Sequence, residues 1–248
     1  DDSEKTFLGQ TGNWNGEDIV RIICEQRATA HFVALRLYDY FVSDTPNDAE
    51  IERLADVFQA NDGEIRAVLR EIFNGDHFKS EEVRFKKIKS PSDLVFGTTR
   101  LVDRFDIPEL DSAILANNTL YMGQHLMNPP SVEGWHEGSE WIDSGALVER
   151  VNFVAQEMGN TSRPGVRDII DRLSAGSSDS LTPDELVDRC LDLIGPITVS
   201  DETRDTLVRF AKRQGDLNLI DHQPGDEAEQ RVGNMLRLVA SSREFQLA

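Results

Sequence analysis

Cysteine, lysine and long apolar runs are all scarce in this chain of 248 residues, and each shortage closes off a class of protein. Two thiols, Cys24 and Cys190, are too few for a disulfide-stapled scaffold or a structural zinc site. No stretch approaches the roughly 20 apolar residues that a membrane-crossing helix needs, and no charged-then-apolar leader is seen. Basic residues number 26 against 45 acidic ones, a formal charge of −19. A field of that sign repels nucleic acid and anionic membranes and favours cations and basic partners. Only 6 of the basic residues are lysine; the other 20 are arginine, whose planar guanidinium holds carboxylates bidentately. An acidic surface laced with arginine pairs is expected. No phosphate-cradling glycine loop, nucleophile elbow or Cys-x-x-Cys pair occurs.

What is present is apolar spacing of the 3.6-residue kind, with no sustained two-residue alternation. The fold class expected is all-α: a multi-helix antiparallel bundle-like array with one long Gly/Pro/Trp loop. Helices are predicted over 17–26, over 29–42 with Ala34, Leu35, Tyr38, Phe41 and Val42 inward, and from Asp48 through Ile51, Leu54, Ala55 and Phe58. Asn61-Asp62-Gly63 breaks the third from a fourth that carries Val68, Leu69 and Ile72. Ser90-Pro91-Ser92-Asp93 is a helix start: a capping hydroxyl, a proline where no N–H is missed, and an acid that complements the dipole. Its stripe runs from Leu94 to Phe105, Ile107-Pro108 stops it, and another helix covers 109–120. Further helices are expected over 142–158 with Leu147, Val151 and Val154 inward, 166–173, 183–194 capped by Thr182, 202–213 and 227–240. Residues 159–165 and 175–180 read as connectors. The ends of two helices, 71–78 and 238–245, each close with a docked phenylalanine. Both cysteines sit on apolar stripes, Cys24 with Ile19, Val20 and Ile23 and Cys190 with Leu186, Val187, Leu191 and Ile194, and read as buried thiols, with one long-range disulfide left open. Residues 1–160 are expected to form a helical core with the loop, and 161–248 a segment packing on it.

The loop over 121–141 stands apart, holding Gly123, Pro129, Pro130, Gly134 and Gly138 with Trp135 and Trp141. Loops of this length in compact domains are often functional. Gln124, His125, Asn128, Glu133, His136, Glu137 and Glu140 would supply hydrogen bonds to a sugar stacked on tryptophan, with Glu133 and Glu137 as an acid/base pair. Alternatively, the tryptophans are plugs that fold the loop onto a helical body. None of the five histidines, His31, His77, His125, His136 and His222, has metalloprotease spacing; a metal would need His125 and His136 to meet Glu133 or Glu137, and none is expected. Counting from Thr11, the twelfth position of a calcium loop is Ile22 rather than glutamate, which rejects an EF-hand. Lys79, Arg84, Lys86, Lys87 and Lys89 form a positive island beside a helix start. It either holds a sulfate or phosphate group or neutralises neighbouring acids.

Several of these features together resemble the bacterial "domain of unknown function 1800" family. They are Lys5-Thr6-Phe7-Leu8-Gly9, Ala28-Thr29-Ala30, Lys87-Ile88-Lys89-Ser90-Pro91, Met122-Gly123-Gln124, Pro129-Pro130, Gly134-Trp135, Trp141-Ile142, Arg150 with Asn152-Phe153, and Ser242-Arg243-Glu244-Phe245-Gln246. The resemblance implies an all-helical fold and export to the periplasm or cell surface, and no established activity or cofactor. It also implies an N-terminal helical half, a partner for this chain, with Asp1 or Asp2 as the remnant of a His-Asp pair. The chain then reads as the C-terminal half of such a protein. The function expected is an exported binding or assembly module whose recognition surface draws on Lys87, Lys89, Gln124, Glu133, Trp135, His136, Glu137, Trp141 and Arg150. Its partner would be another exported protein or a glycan. The alternative is a hydrolase-like enzyme acting on a glycan or a sulfated or phosphorylated polymer.

Overall fold

Helical periodicity is realised almost everywhere in the computed structural model of the chain, which describes residues 3–105, 112–175, 180–195, 197–219 and 223–248. Eleven α-helices and two very small sheets make the described fold all-α. The chain divides into two units, Asp1–Lys87 and Ile88–Ala248. Ile107-Pro108, the start of the helix over 109–120, residues 176–179, His222 and the Asp1-Asp2 pair lie outside the described residues.

The first unit opens with a hairpin, β1 (Lys5–Phe7) on β2 (Gln10–Gly12), turned by Leu8 and Gly9 in the left-handed region. Strands of three residues are too short to show alternation, so the sequence pattern does not reveal them. Then come α1 (Gly16–Cys24), α2 (Arg27–Phe41), α3 (Asp48–Ala60) and α4 (Ile65–Asn74). Asn15 closes a capping box with Asp18, and the α3–α4 break uses Asp62 and Gly63 at positive φ, with the Gly63 amide returning to Phe58. Ala30, Ala34, Tyr38, Ile51, Leu54, Ala55, Phe58, Val68 and Ile72 form its core, and Phe78 docks against it after α4. The expected α1 stripe is corrected: only Ile22 is buried, while Val20 is 60% exposed and Cys24 is exposed. Amphipathic spacing marks an apolar face but does not supply what covers it.

The second unit holds α5 (Pro91–Leu101), α6 (Ala113–Tyr121), α7 (Ser144–Met158), α8 (Pro164–Ala175), α9 (Pro183–Ile194), α10 (Asp201–Lys212) and α11 (Glu227–Ala240). Two-residue strands β3 (Ser180–Leu181) and β4 (Leu217–Asn218) pair antiparallel. Ser90 with Asp93 and Thr182 with Glu185 form the capping boxes of α5 and α9, each followed by proline, and each cap is worth about 1 kcal/mol. α7 packs on α5 and α11, and α9 on α10 and α11, around a core that includes Leu94, Val95, Val154, Met158, Ile170, Leu173, Val187, Leu191, Val232 and Leu236. Gly165 lets α8 start against the end of α5: its amide donates to the Val102 carbonyl at 3.0 Å, and a Cβ there would overlap the Leu101 carbonyl. The expected inward set of α7 is partly corrected. Leu147 is 38% exposed, and the buried face runs through Ala146, Arg150, Phe153, Val154 and Glu157.

Cys24 and Cys190 are both free. Burial in the apolar core pushes the Cys190 thiol up to about 12, which removes its thiolate at neutral pH. Native protein treated with a thiol-reactive disulfide at pH 8 is therefore expected to release one equivalent from Cys24, with the second appearing only on unfolding. Two fast equivalents would contradict the burial of Cys190.

Candidate functional site

Two clusters in the second unit collect most of the residues that the sequence singles out. The first is the loop between α6 and α7. It leaves α6 through Gly123 at φ +98, where the Trp141 ring lies 3.8 Å from the position a Cβ would take. Trp141 closes a 3-10 turn (Gly138–Trp141) and is buried, which makes it the plug rather than a stacking platform. Trp135 is half-buried, its indole N–H donating to the His125 carbonyl at 3.0 Å. Asn128 bonds His125 Nδ1 at 2.9 Å, and Ser131 with Gly134 forms a single bridge turned by Gly134 at φ +106. The chain is thus tied at four points between Gly123 and Trp141.

On this frame the expected polar residues stand outward. Glu133, His136 and Glu137 are exposed, and His136 Nδ1 lies 3.1 Å from Glu140 Oε2 with its ring edge-on to Trp141. Among the described residues no group of three or more His, Cys, Asp or Glu side chains is placed to hold a metal ion. The tips are apolar: Met127 is 94% exposed and Val132 is fully exposed. Tyr121, at the end of α6, and Val148, on α7, are also exposed. Met127 also sits at φ +60, a region a long side chain enters at a cost of roughly 1–2 kcal/mol. Neither packing nor backbone preference explains a methionine there.

The second cluster is a buried polar node at the start of α5. Gln124 is buried, and its Oε1 accepts from the Ser92 amide at 2.8 Å. Ser90 Oγ accepts from the Asp93 amide at 3.2 Å, so the first turn of α5 is closed by side chains and offers no free amide to an anion. Arg150 is wholly buried. Its Nε donates to Gln246 Oε1 at 2.9 Å and its Nη2 to the Lys89 carbonyl at 2.7 Å, while Nη1 finds no partner among the described residues. Desolvation pushes the Arg150 guanidinium down to about 10, with Asp93 pulling the other way. Lys89 donates to the Phe245 carbonyl at 2.8 Å and lies over the Phe245 ring; burial, then Arg150, lowers its pKa. Lys89 N–H to the Gln246 carbonyl, 2.9 Å, completes the knot.

Lys89, Gln124 and Arg150 are therefore joined through α5 and the chain end, whereas Glu133, Trp135, His136, Glu137 and Trp141 belong to the loop. Lys87 lies in the first unit, where its ammonium donates to the Asp39 carbonyl and pairs with Asp44 at 2.7 Å. Within the basic island Lys87 thus balances a neighbouring acid. Gln246 and Asp93 belong to this buried node without being marked for it by the sequence, although one lies in a stretch that carries the resemblance and the other in a helix start. Met127 and Val132 escape notice because apolar residues on a loop give no signal until their exposure is known.

Among curated proteins and solved structures, none matches the chain. The chain belongs to the family described as protein of unknown function (DUF1800), whose model matches residues 1–247.

Proposed function

We propose that this member of the family is an exported helical module for binding and assembly, whose loop between α6 and α7 docks on another protein. One observation carries the reading: Met127 is held at positive φ, almost fully exposed, on a loop that is otherwise pinned to the helical body. A strained, solvated methionine is stabilised by neither burial nor backbone, and methionine adapts its flexible thioether to a partner's apolar surface. Pre-ordering the loop lowers the entropy that docking must overcome. No lysine or arginine falls between Arg104 and Arg150, while Glu133, Glu137, Glu140, Asp143 and Glu149 do, so the partner is basic around an apolar centre.

Met127→Gly relieves the backbone strain, and its folding stability is expected to stay within about 1 kcal/mol of the parent. Val132→Ser alters only an exposed side chain. Proteins cross-linked to the parent in an extract of the source cells, identified by mass, should lose the loop-dependent component in the double variant. An unchanged set of captured proteins would refute the loop as the docking surface. Turnover of a polysaccharide panel that disappears on Glu137→Gln would instead establish the hydrolase.

A further inference from the structure

A groove of about 640 Å³ runs along α10 and the end of α11, within the size range of small-molecule sites. It exists because α10 is committed elsewhere. Leu207, Val208 and Ala211 are buried, and α10 packs mainly along α9. Its start is tied to the chain end by Glu244, whose carboxylate accepts from the Ser200 amide at 3.0 Å and the Thr203 hydroxyl at 3.0 Å. The remaining face, Glu202, Thr206, Phe210 and Arg213 at helical spacing, looks across to Leu238, Ser241 and Ser242.

The lining separates into an apolar floor and a positive end. Leu207, Phe210 and Leu238 supply the floor. The hydroxyls have partners within the protein: Thr203 on Glu244, Thr206 on the Glu202 carbonyl, Ser241 on the Arg237 carbonyl, and Ser242 accepting from the Phe245 amide. Arg209 donates to the Thr206 hydroxyl and weakly to the Asp205 carbonyl, and neither it nor Arg213 has a carboxylate partner among the described residues. Glu202 marks the opposite end, eleven residues of helical rise or roughly 16 Å from Arg213. Arginines at the end of a helix also complement its carbonyls, which accounts for their sign but not for the apolar trough beside them.

We propose that this groove binds an amphiphilic carboxylate, with the unbranched apolar chain along Leu207, Phe210 and Leu238 and the anionic head at Arg209 and Arg213. The general field of the chain opposes anions, but surface charges more than about 10 Å away are screened at physiological salt, so the two arginines set the local preference. Sub-micellar decanoate, followed by titration calorimetry, tests it. Saturable binding at one site is expected, with decyltrimethylammonium at least tenfold weaker. Arg209→Gln with Arg213→Gln, both exposed, should abolish that preference, and Thr206→Trp should block the groove. Met127→Gly should bind decanoate as the parent does, which separates this site from the loop. Absent or non-saturable binding, equal binding of the cation, or decanoate affinity unchanged in the arginine pair variant would each overturn the proposal.

Discussion

Arg150→Ala is expected to lower folding stability by about 3–5 kcal/mol, whereas Arg150→Met should lose less, about 1–3 kcal/mol, the cost of the acceptor it strands. The reason lies in what surrounds a wholly buried guanidinium with no carboxylate bonded to it among the described residues. A pKa pushed down to about 10 corresponds to about 3 kcal/mol against the charged form. Two charge-assisted bonds, to Gln246 Oε1 and the Lys89 carbonyl, return about 1.5–3 kcal/mol each. The bonds therefore at least offset the desolvation, and the loss in a variant depends on the volume it refills and the acceptors it strands. Methionine refills the space and alanine does not. Urea unfolding with an unchanged m-value measures both. If the methionine variant falls as far as alanine, the stranded acceptors rather than the lost volume set the penalty.

Arg150 and Gln246 are expected to couple. In Arg150→Met the Gln246 Oε1 is left buried without a donor, which costs about 1–3 kcal/mol, and Gln246→Leu removes that acceptor along with Nε2, which has no partner among the described residues. The double variant should be more stable than the sum of the singles by at least 1 kcal/mol. Additive effects would mean that Gln246 relaxes to other partners, so that the knot is looser than its geometry implies. Should the coupling hold, the value of Arg150 is in register rather than net stability: its fork aligns the chain end with the start of α5.

How much of this could be read from residues alone depends on range. Ser90-Pro91-Ser92-Asp93 and Thr182-Pro183 declared their helix starts because a cap is a local device, complete within four residues. The stripe of α3 was right at Ile51, Leu54, Ala55 and Phe58 because one helical face was being buried along its whole length. The stripe of α1 was wrong because nothing in Ile19, Val20 and Ile23 reports whether a neighbour exists. Trp141 as plug and Trp135 as half-exposed edge could not be told apart in advance, since composition places both on one loop and only contacts assign them. Arg150 and Gln246 stand 96 residues apart, and no local pattern pairs a guanidinium with an amide over that distance. The resemblance had gathered Lys89, Gln124, Arg150 and Gln246 into one set of motifs without saying that they touch.

Glu157→Ala is expected to be as damaging as Arg150→Ala, by about 3–5 kcal/mol, for the opposite electrostatic reason. Glu157 is buried on α7, with Arg104 Nη1 at 2.7 Å from Oε1 and Arg163 Nη2 at 2.9 Å from Oε2. One carboxylate thus neutralises two arginines, one following α5 and the other leading into α8, at the place where Gly165 brings the backbone close to Val102. Deleting it strands two cations in a half-buried site, where Arg163 Nε already lacks a bond among the described residues. Glu157→Gln keeps the volume and one acceptor oxygen, and should lose less than alanine while remaining well below the parent. Salt distinguishes this site from the surface. The Arg204–Asp188 pair at 2.9 Å is exposed, and its small contribution should fade by 1 M salt. The loss at Glu157 should change by less than a third over the same range, because water and ions do not reach the carboxylate. A Glu157→Ala penalty that halves with salt would show that the site is open to solvent and that the α5–α8 junction is held by its backbone alone.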